Sequence, residues 1–142
     1  GRAVSVVMAD LDRFKAVNDT YGHMGGDAAL RETAARFAKA VRSYDKVGRY
    51  GGEEFLFILP GCDAGNAARL AERVREALAD EPINTAEGII RLTVSLGVAC
   101  AHDVPAPTVQ ALVGAADAAL YEAKRLGRNR VARFPVNRAP DG

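Results

Sequence analysis

Residues 3–9 read AVSVVMA, a near-continuous apolar run of strand length. A strand apolar on both sides needs cover on both sides, so the run predicts a central strand buried on both faces of a sheet. It ends in Asp10-Leu11-Asp12. The end of a buried strand is a place where sheet proteins put ligand contacts. The same carboxylates also suit a helix start, with Asp12 or Asp10 as the N-cap of a helix that turns Phe14, Val17 and Tyr21 inward. Both readings hold together if Asp12 caps and Asp10 faces a site.

Gly22 stops that first helix. Gly25-Gly26-Asp27 opens a second, with Asp27 as a good local N-cap and Leu30, Ala34, Phe37, Ala38 and Val41 at helical spacing. Residues 45–50 read as a short strand and residues 55–59 as an apolar one. Between them Gly51-Gly52-Glu53-Glu54 predicts a β-hairpin with the glycines at or near its tip and two acids beside the turn. Alone, this hairpin fits a solvated turn as well as it fits a site.

A third helix covers residues 64–79, burying Ala67, Leu70, Ala71, Val74 and Leu78, with Arg69, Arg73 and Arg75 mostly on a solvated face. Residues 83–87 read as a weak strand or loop. Residues 89–100 form the clearest alternating strand. Ile90, Leu92, Val94, Leu96, Val98 and Cys100 share one face, and Thr93, Ser95 and Gly97 share the other, where something packs closely. A fourth helix over residues 108–126 turns Val109, Leu112, Val113, Ala116, Ala119, Leu120 and Ala123 inward, with Gly127 as its C′ residue. Lys124, Arg125, Arg128 and Arg130 gather at that end, where the helix dipole favours cations. Residues 131–134 close the sheet. The domain then spans residues 1–135, followed by a polar tail over 136–142. The order predicts an α+β fold, ferredoxin-like or polymerase-palm-like, with a central mixed sheet of about five strands flanked by helices.

In such a fold the end of the first strand and the hairpin turn lie side by side, bringing Asp10, Glu53 and Glu54 together. Two bare carboxylates about 4 Å apart repel by roughly 4 kcal/mol at an effective dielectric of ~20. Such a group holds a proton or binds a cation. Oxygen ligands with open positions suit Mg²⁺ carrying substrate phosphates, and no Cys or His set is present for zinc. Lys plus Arg number 19 against 18 for Asp plus Glu, so bulk charge does not point to long nucleic acid. No apolar run reaches membrane length and no signal peptide opens the sequence, which gives a cytoplasmic expectation with any membrane anchor lying upstream. Cys62 and Cys100 lack metal-ligand spacing and read as buried thiols.

Asp10-Leu11-Asp12-Arg13-Phe14-Lys15, Asn18-Asp19-Thr20-Tyr21-Gly22-His23, Gly26-Asp27, Gly51-Gly52-Glu53-Glu54-Phe55, residues 93–99 and residues 118–130 together resemble the GGDEF-type diguanylate cyclase domain in its GGEEF variant. The match is collinear from first strand to last. The resemblance implies condensation of two GTP into cyclic di-GMP with release of two pyrophosphates, across a homodimer in which each subunit brings one GTP. It implies Asp10, the main-chain carbonyl of Leu11 and Glu53 as metal ligands. Glu54 is implied at a second metal or as general base, with the division of catalytic work between Glu53 and Glu54 open. Two Mg²⁺ or Mn²⁺ ions per GTP are implied. So are Asn18 and Asp27 as guanine readers, Lys15, Lys124 and Arg128 as phosphate contacts, and Gly51 and Gly52 as the turn the phosphates approach. A site that accepts the paired N–H donors of guanine rejects adenine by factors on the order of 10⁴.

Arg42-Ser43-Tyr44-Asp45 matches the family's RxxD product-inhibition site, giving a cyclic di-GMP site at Arg42 and Asp45 with Arg73 helping. The family's D-x-L-T-G-L-x-N-R segment is not in this sequence, and the resemblance implies an upstream sensory or dimerising domain. A fragment without them is expected to be a feeble catalyst. The binding-class alternative is a non-catalytic GTP or cyclic di-GMP sensor on the same fold. A palm-type transferase for another nucleotide and a structural dimerisation module leave Asp27 or the paired acids unexplained.

Overall fold

The computed structural model describes residues 3–136; apart from Val136, the expected tail lies outside the described residues. In chain order the elements are β1 (Val4–Leu11), α1 (Phe14–Ala40), β2 (Lys46–Arg49), β3 (Glu54–Pro60), α2 (Ala64–Ala79), β4 (Ile83–Thr85), β5 (Gly88–Ile90), β6 (Val94–Cys100), α3 (Val109–Arg125) and β7 (Val131–Arg133). β1 lies mid-sheet, antiparallel to β3 on one side and β6 on the other. β2 extends the sheet beyond β3, and β7 runs parallel to β6, giving the order β2-β3-β1-β6-β7. This is the five-stranded mixed sheet expected of a palm-like α+β domain.

The alternation within each strand sorts side chains between two layers. Val7, Ala9 and Leu11, with Phe55, Phe57 and Leu59 of β3 and Val94, Leu96 and Val98 of β6, bury against α1 and α2. Phe37 of α1 seats its ring 5.0 Å from that of Phe55 and 5.6 Å from that of Phe57. Val6, Met8 and Ala99 face the other way, onto Leu112, Ala115, Ala116 and Leu120 of α3. Full burial of each such large side chain contributes about 1.5–3 kcal/mol. The central strand is therefore covered on both faces, as its sequence demands.

Several sequence expectations need correction. β1 runs through Asp10 to Leu11, so Asp10 belongs to the strand. Neither it nor Asp12 caps α1; the N-cap is Arg13, in the left-handed region (φ 54), with no side-chain cap. The two expected helices are the two segments of α1, parted as expected at Gly22 (φ 76, ψ 175). Helix resumes at once after Gly22, so Asp27 lies inside it and is not an N-cap. Ala38 is exposed; Phe37 is buried with Ala29 and Thr33, and Leu30, Ala34 and Val41 pack partly buried against the same core. An alanine carries too little apolar area to fix which way a helix faces. The alternating run over 89–100 splits into β5, paired with β4 in a separate small hairpin, and β6. Ile90, Leu92 and Val94 are all buried, so the alternation reported burial correctly. It could not report which neighbour each segment pairs with. Val109 is 76% exposed, because the first turn of α3 projects past the layer it covers.

Gly97 explains how close that layer lies. A Cβ on it would fall 2.1 Å from the Ala116 carbonyl oxygen and 2.2 Å from the Leu120 nitrogen, both backbone atoms of α3. Gly114 on the same helix faces open space. Gly97→Ala is therefore expected to cost about 1–3 kcal/mol in urea denaturation, through overpacking. Gly114→Ala should gain about 0.5–1 kcal/mol from helix propensity.

Candidate functional site at the end of the central strand

The β1–β3 register places Asp10 opposite Glu54, and the Leu11 N–H donates to the Glu53 carbonyl at 3.1 Å. The hairpin turn is thereby pinned to the strand end. Asp10 is 9% exposed. Burial, the negative charge of Asp10 and a hydrogen bond with it push the Glu53 carboxyl above its usual range, and Glu54 adds to the push, while Lys124 opposes it. Lys124, in the last turn of α3, donates to Asp10 Oδ2 at 2.6 Å. Asp10 and Glu53 thus form a close acidic pair with one ammonium against it. Glu54, opposite Asp10 in the ladder, shares its face of the sheet; a Cβ on Gly51 would lie 2.6 Å from its Oε1, and it lines a cavity with Tyr50, Met8 and Leu56. Asp10 and Glu53 make the closest contact of the three acids, and Glu54 acts on Glu53 through its charge.

The donors here are all oxygens, and the pair repels itself, which fits a hard divalent cation and not zinc. Among the described residues no group of three or more His, Cys, Asp or Glu side chains forms a ready cage. An ion bound at this pair would complete its shell from main-chain carbonyl, water or substrate oxygens.

The turn itself is residues 50–53. Neither Gly51 nor Gly52 has positive φ, so the bend does not require glycine. A Cβ on Gly52 would meet nothing within 4 Å. The space over Gly52 is open to an incoming group. Arg49 holds the turn from behind, donating through Nη2 to the Gly52 carbonyl at 2.5 Å and through Nε to that of Gly51 at 3.4 Å. Sequence reasoning passed over Arg49, although an arginine just ahead of two glycines is a signal for bare carbonyls within its reach.

On α1 the break at Gly22 folds the second segment back onto the first. A Cβ on Gly25 would lie 2.5 Å from Tyr21 Cβ, and one on Gly26 would lie 1.8 Å from Asn18 Oδ1. These glycines let Asn18 sit against the residue preceding Asp27. Asp27 is exposed and lines a cavity of about 300 Å³ with Leu30, Arg31, Ala34 and Arg49. That cavity joins α1 to the hairpin. Lys15 is exposed in the first turn of α1.

Arg42 and Asp45 form a closed fork: Nε and Nη2 donate to Oδ2 and Oδ1 at 2.8 and 2.7 Å, and the Arg42 N–H donates to Oδ2 at 2.8 Å. Burial works to raise the Asp45 carboxyl, but Arg42 outweighs it and holds the carboxyl below its usual range. The guanidinium carbon also lies 4.5 Å from the centre of the Tyr44 ring. Arg42 shares a cavity of about 410 Å³ with Cys62, Arg69 and Arg73. Arg73 donates to the Ala40 carbonyl at 2.6 Å. The expected trio is brought together, and Arg69 joins it unforeseen; its i,i+4 spacing to Arg73 was the available signal.

Arg128 lies just past α3 in a turn where it and Asn129 both have positive φ (65 and 48). That conformation costs a residue such as Arg128 about 1–2 kcal/mol, while asparagine tolerates it better. Asp12 accepts a hydrogen bond from this turn, a contact no sequence pattern signalled.

A mixed sheet of this order, with an acidic pair facing an open glycine turn, defines a palm-type domain. The chain matches the family described as diguanylate cyclase, GGDEF domain, over residues 1–130, and it belongs to that family. It is 43% identical over 133 residues to the response regulator PleD of Caulobacter vibrioides, covering 92% of this chain and 29% of that protein. It is 42% identical over 125 residues to the diguanylate cyclase DgcZ of Escherichia coli, covering 88% of this chain and 42% of that one. The chain thus spans well under half the length of these relatives. Its fold is similar to the GGDEF domain of YfiN (TpbB) from Pseudomonas aeruginosa, with a TM-score of 0.89, 33% identity, and coverage of 96% and 84% of the two chains. It is also similar to the GGDEF domain of DgcB from Caulobacter crescentus in complex with c-di-GMP, with a TM-score of 0.83, 33% identity, and coverage of 92% and 77%. Among the described residues no helix is long and apolar enough to cross a membrane.

Glu53 binds its proton more tightly in the folded chain than in the unfolded one. Its contribution therefore favours folding below the usual carboxylate range and is lost as pH rises through the raised value. In the absence of divalent cations, Glu53→Gln should raise the Tm at about pH 7, and the gain should vanish near pH ~4, where the acid is protonated in both states. A thermal-melt series over pH checks this.

Proposed function

We propose that this domain condenses two GTP molecules into cyclic di-GMP, working as a homodimer in which each subunit presents one nucleotide. The observation that carries the reading is the acidic pair Asp10 and Glu53, with Lys124 against it, beside a glycine turn that leaves room for phosphate. Asp10, Glu53 and the Leu11 carbonyl would hold divalent ions, Mg²⁺ or Mn²⁺, two per GTP. Bound there, such ions would offset triphosphate charge and lower the cost of ionising a ribose hydroxyl.

The chain's own residues supply the rest. Asn18 and Asp27 accept the N1–H and N2–H donors of guanine, Asp27 from the cavity that joins α1 to the hairpin and Asn18 from its place against Gly26. Adenine lacks that donor pair and leaves the acceptors unpaired. Lys15, Lys124 and Arg128 hold phosphate oxygens, and the Gly51-Gly52 turn lets them approach the backbone. Glu54 takes the proton of the ribose 3′-hydroxyl. The freed oxygen bonds to the α-phosphorus of the partner's GTP, and pyrophosphate leaves with the electrons of the broken P–O bond. Two such steps close the ring. Cyclic di-GMP binding at Arg42, Asp45 and Arg73 restrains turnover, with the guanidinium groups gripping guanine edges and phosphates. An upstream sensory or dimerising domain would bring two such sites face to face, and a cytoplasmic setting supplies the GTP.

The test is a fused dimer given GTP and Mg²⁺, with ATP as competitor and the product read by mass. Cyclic di-GMP should form and ATP should not compete. Binding of GTP without product at any dimer concentration would establish the sensor function instead. Glu54→Gln should lower turnover by about 10²–10⁴-fold with GTP binding retained. Arg42→Ala should raise the inhibition constant for cyclic di-GMP about tenfold or more; an unchanged constant removes the inhibitory site.

A further inference from the structure

Asp12 lies two residues past Asp10 and is 8% exposed. Both of its oxygens are engaged. Oδ1 accepts from Ser95 Oγ at 2.6 Å, and Oδ2 accepts from Thr93 Oγ1 at 2.7 Å and from the Asn129 N–H at 3.0 Å. Its own N–H donates to the Thr93 carbonyl at 2.9 Å. One buried side chain therefore ties together the end of β1, the start of β6 and the turn after α3.

That turn is strained and over-determined. Gly127, Arg128 and Asn129 have positive φ in succession (127, 65 and 48). Such a backbone persists only where its surroundings fix it. The Arg128 N–H donates to the Ala123 carbonyl at 3.0 Å, the Leu96 N–H to that of Arg130 at 3.0 Å, and Arg75 Nη1 to Asn129 Oδ1 at 2.9 Å. The Asn129 N–H has Asp12 as its acceptor. Without that acceptor a donor in a strained turn is left unpaired, which favours relaxation of the turn.

We propose that Asp12 is a positioning residue for the reaction: it locks the Gly127–Arg130 turn so that Arg128 is held, beside Lys124, toward the triphosphate. The inference rests on the reading of Arg128 as a phosphate contact. It assigns Asp12 no place as metal ligand or base, because three donors already occupy its oxygens.

The chemistry of the network separates the two roles. An asparagine at position 12 can keep its carbonyl oxygen toward Thr93 and Asn129 and turn its NH₂ toward Ser95, whose hydroxyl also accepts. A ligand or base would not survive that exchange. In the fused dimer, Asp12→Ala should lower kcat/KM for GTP on the order of 10²-fold, and Asp12→Asn should recover most of it. Asp12→Ala should cause little further loss in an Arg128→Ala background, since it acts through Arg128. Hydrogen exchange at the Asn129 amide should speed up in Asp12→Ala and not in Asp12→Asn. A folded Asp12→Asn as impaired as Asp12→Ala, or fully additive losses with Arg128→Ala, would overturn the proposal. If Asp12→Ala does not fold, Thr93→Val, which loosens Oδ2, runs the same cycle with a smaller loss, and additivity there counts equally against it. If the wild-type dimer makes no product, the cyclase reading fails by itself. The same cycle is then read on the affinity for a non-hydrolysable GTP analogue and on Asn129 exchange.

Discussion

The register between β1 and β3 is the constraint on which the site depends. It sets Asp10 opposite Glu54 and brings the Glu53 carbonyl onto the Leu11 N–H. A slip of one residue would turn Val7, Ala9 and Leu11 out of their layer and point Asp10 into it. The cost of exposing those side chains and burying a carboxylate fixes the pairing far more firmly than the hairpin turn could. The core thus forces Asp10 and Glu53 together against their own repulsion. Stability is given up locally, and the result is a place where a cation is welcome.

The layer made by α3 answers that repulsion. Gly97 and the small residues Ala115, Ala116, Ala119 and Ala123 let the helix lie close on β1 and β6. Close packing determines where its last turn ends, and Lys124 reaches Asp10 from there. The opposite layer contributes differently. Gly22 breaks α1, and Gly25 and Gly26 allow the two segments to meet, so that Asn18 lies against Gly26 while Asp27 lines the cavity next to the hairpin. One helix layer thereby sets the charge of the acidic pair, and the other shapes the cavity next to it.

The relation of Arg42 to Asp45 is of another kind. Their fork is complete within the chain, so a ligand of the kind proposed for this cavity would meet a guanidinium already oriented by its carboxylate and backed by Tyr44. Holding the arginine still removes part of the ordering cost that binding would otherwise carry. Arg69 and Arg73 widen the same surface from α2.

The sequence by itself determined the central strand, the two acids of the hairpin, the stripe of α2, the break at Gly22 and the family. Each is written in residues close along the chain or in a strict period, and local patterning carries such information. Strand alternation also said which side chains of β1 share a face. The local pattern offered caps at Asp12 and Asp27 that the fold does not use, since a short acid before a helical pattern looks the same whether its partners are local or distant. Only the tertiary structure decided that Asp12 serves Ser95, Thr93 and Asn129. Those contacts join residues up to 117 positions apart. No local pattern encodes them, because they exist only once both layers have closed on β1.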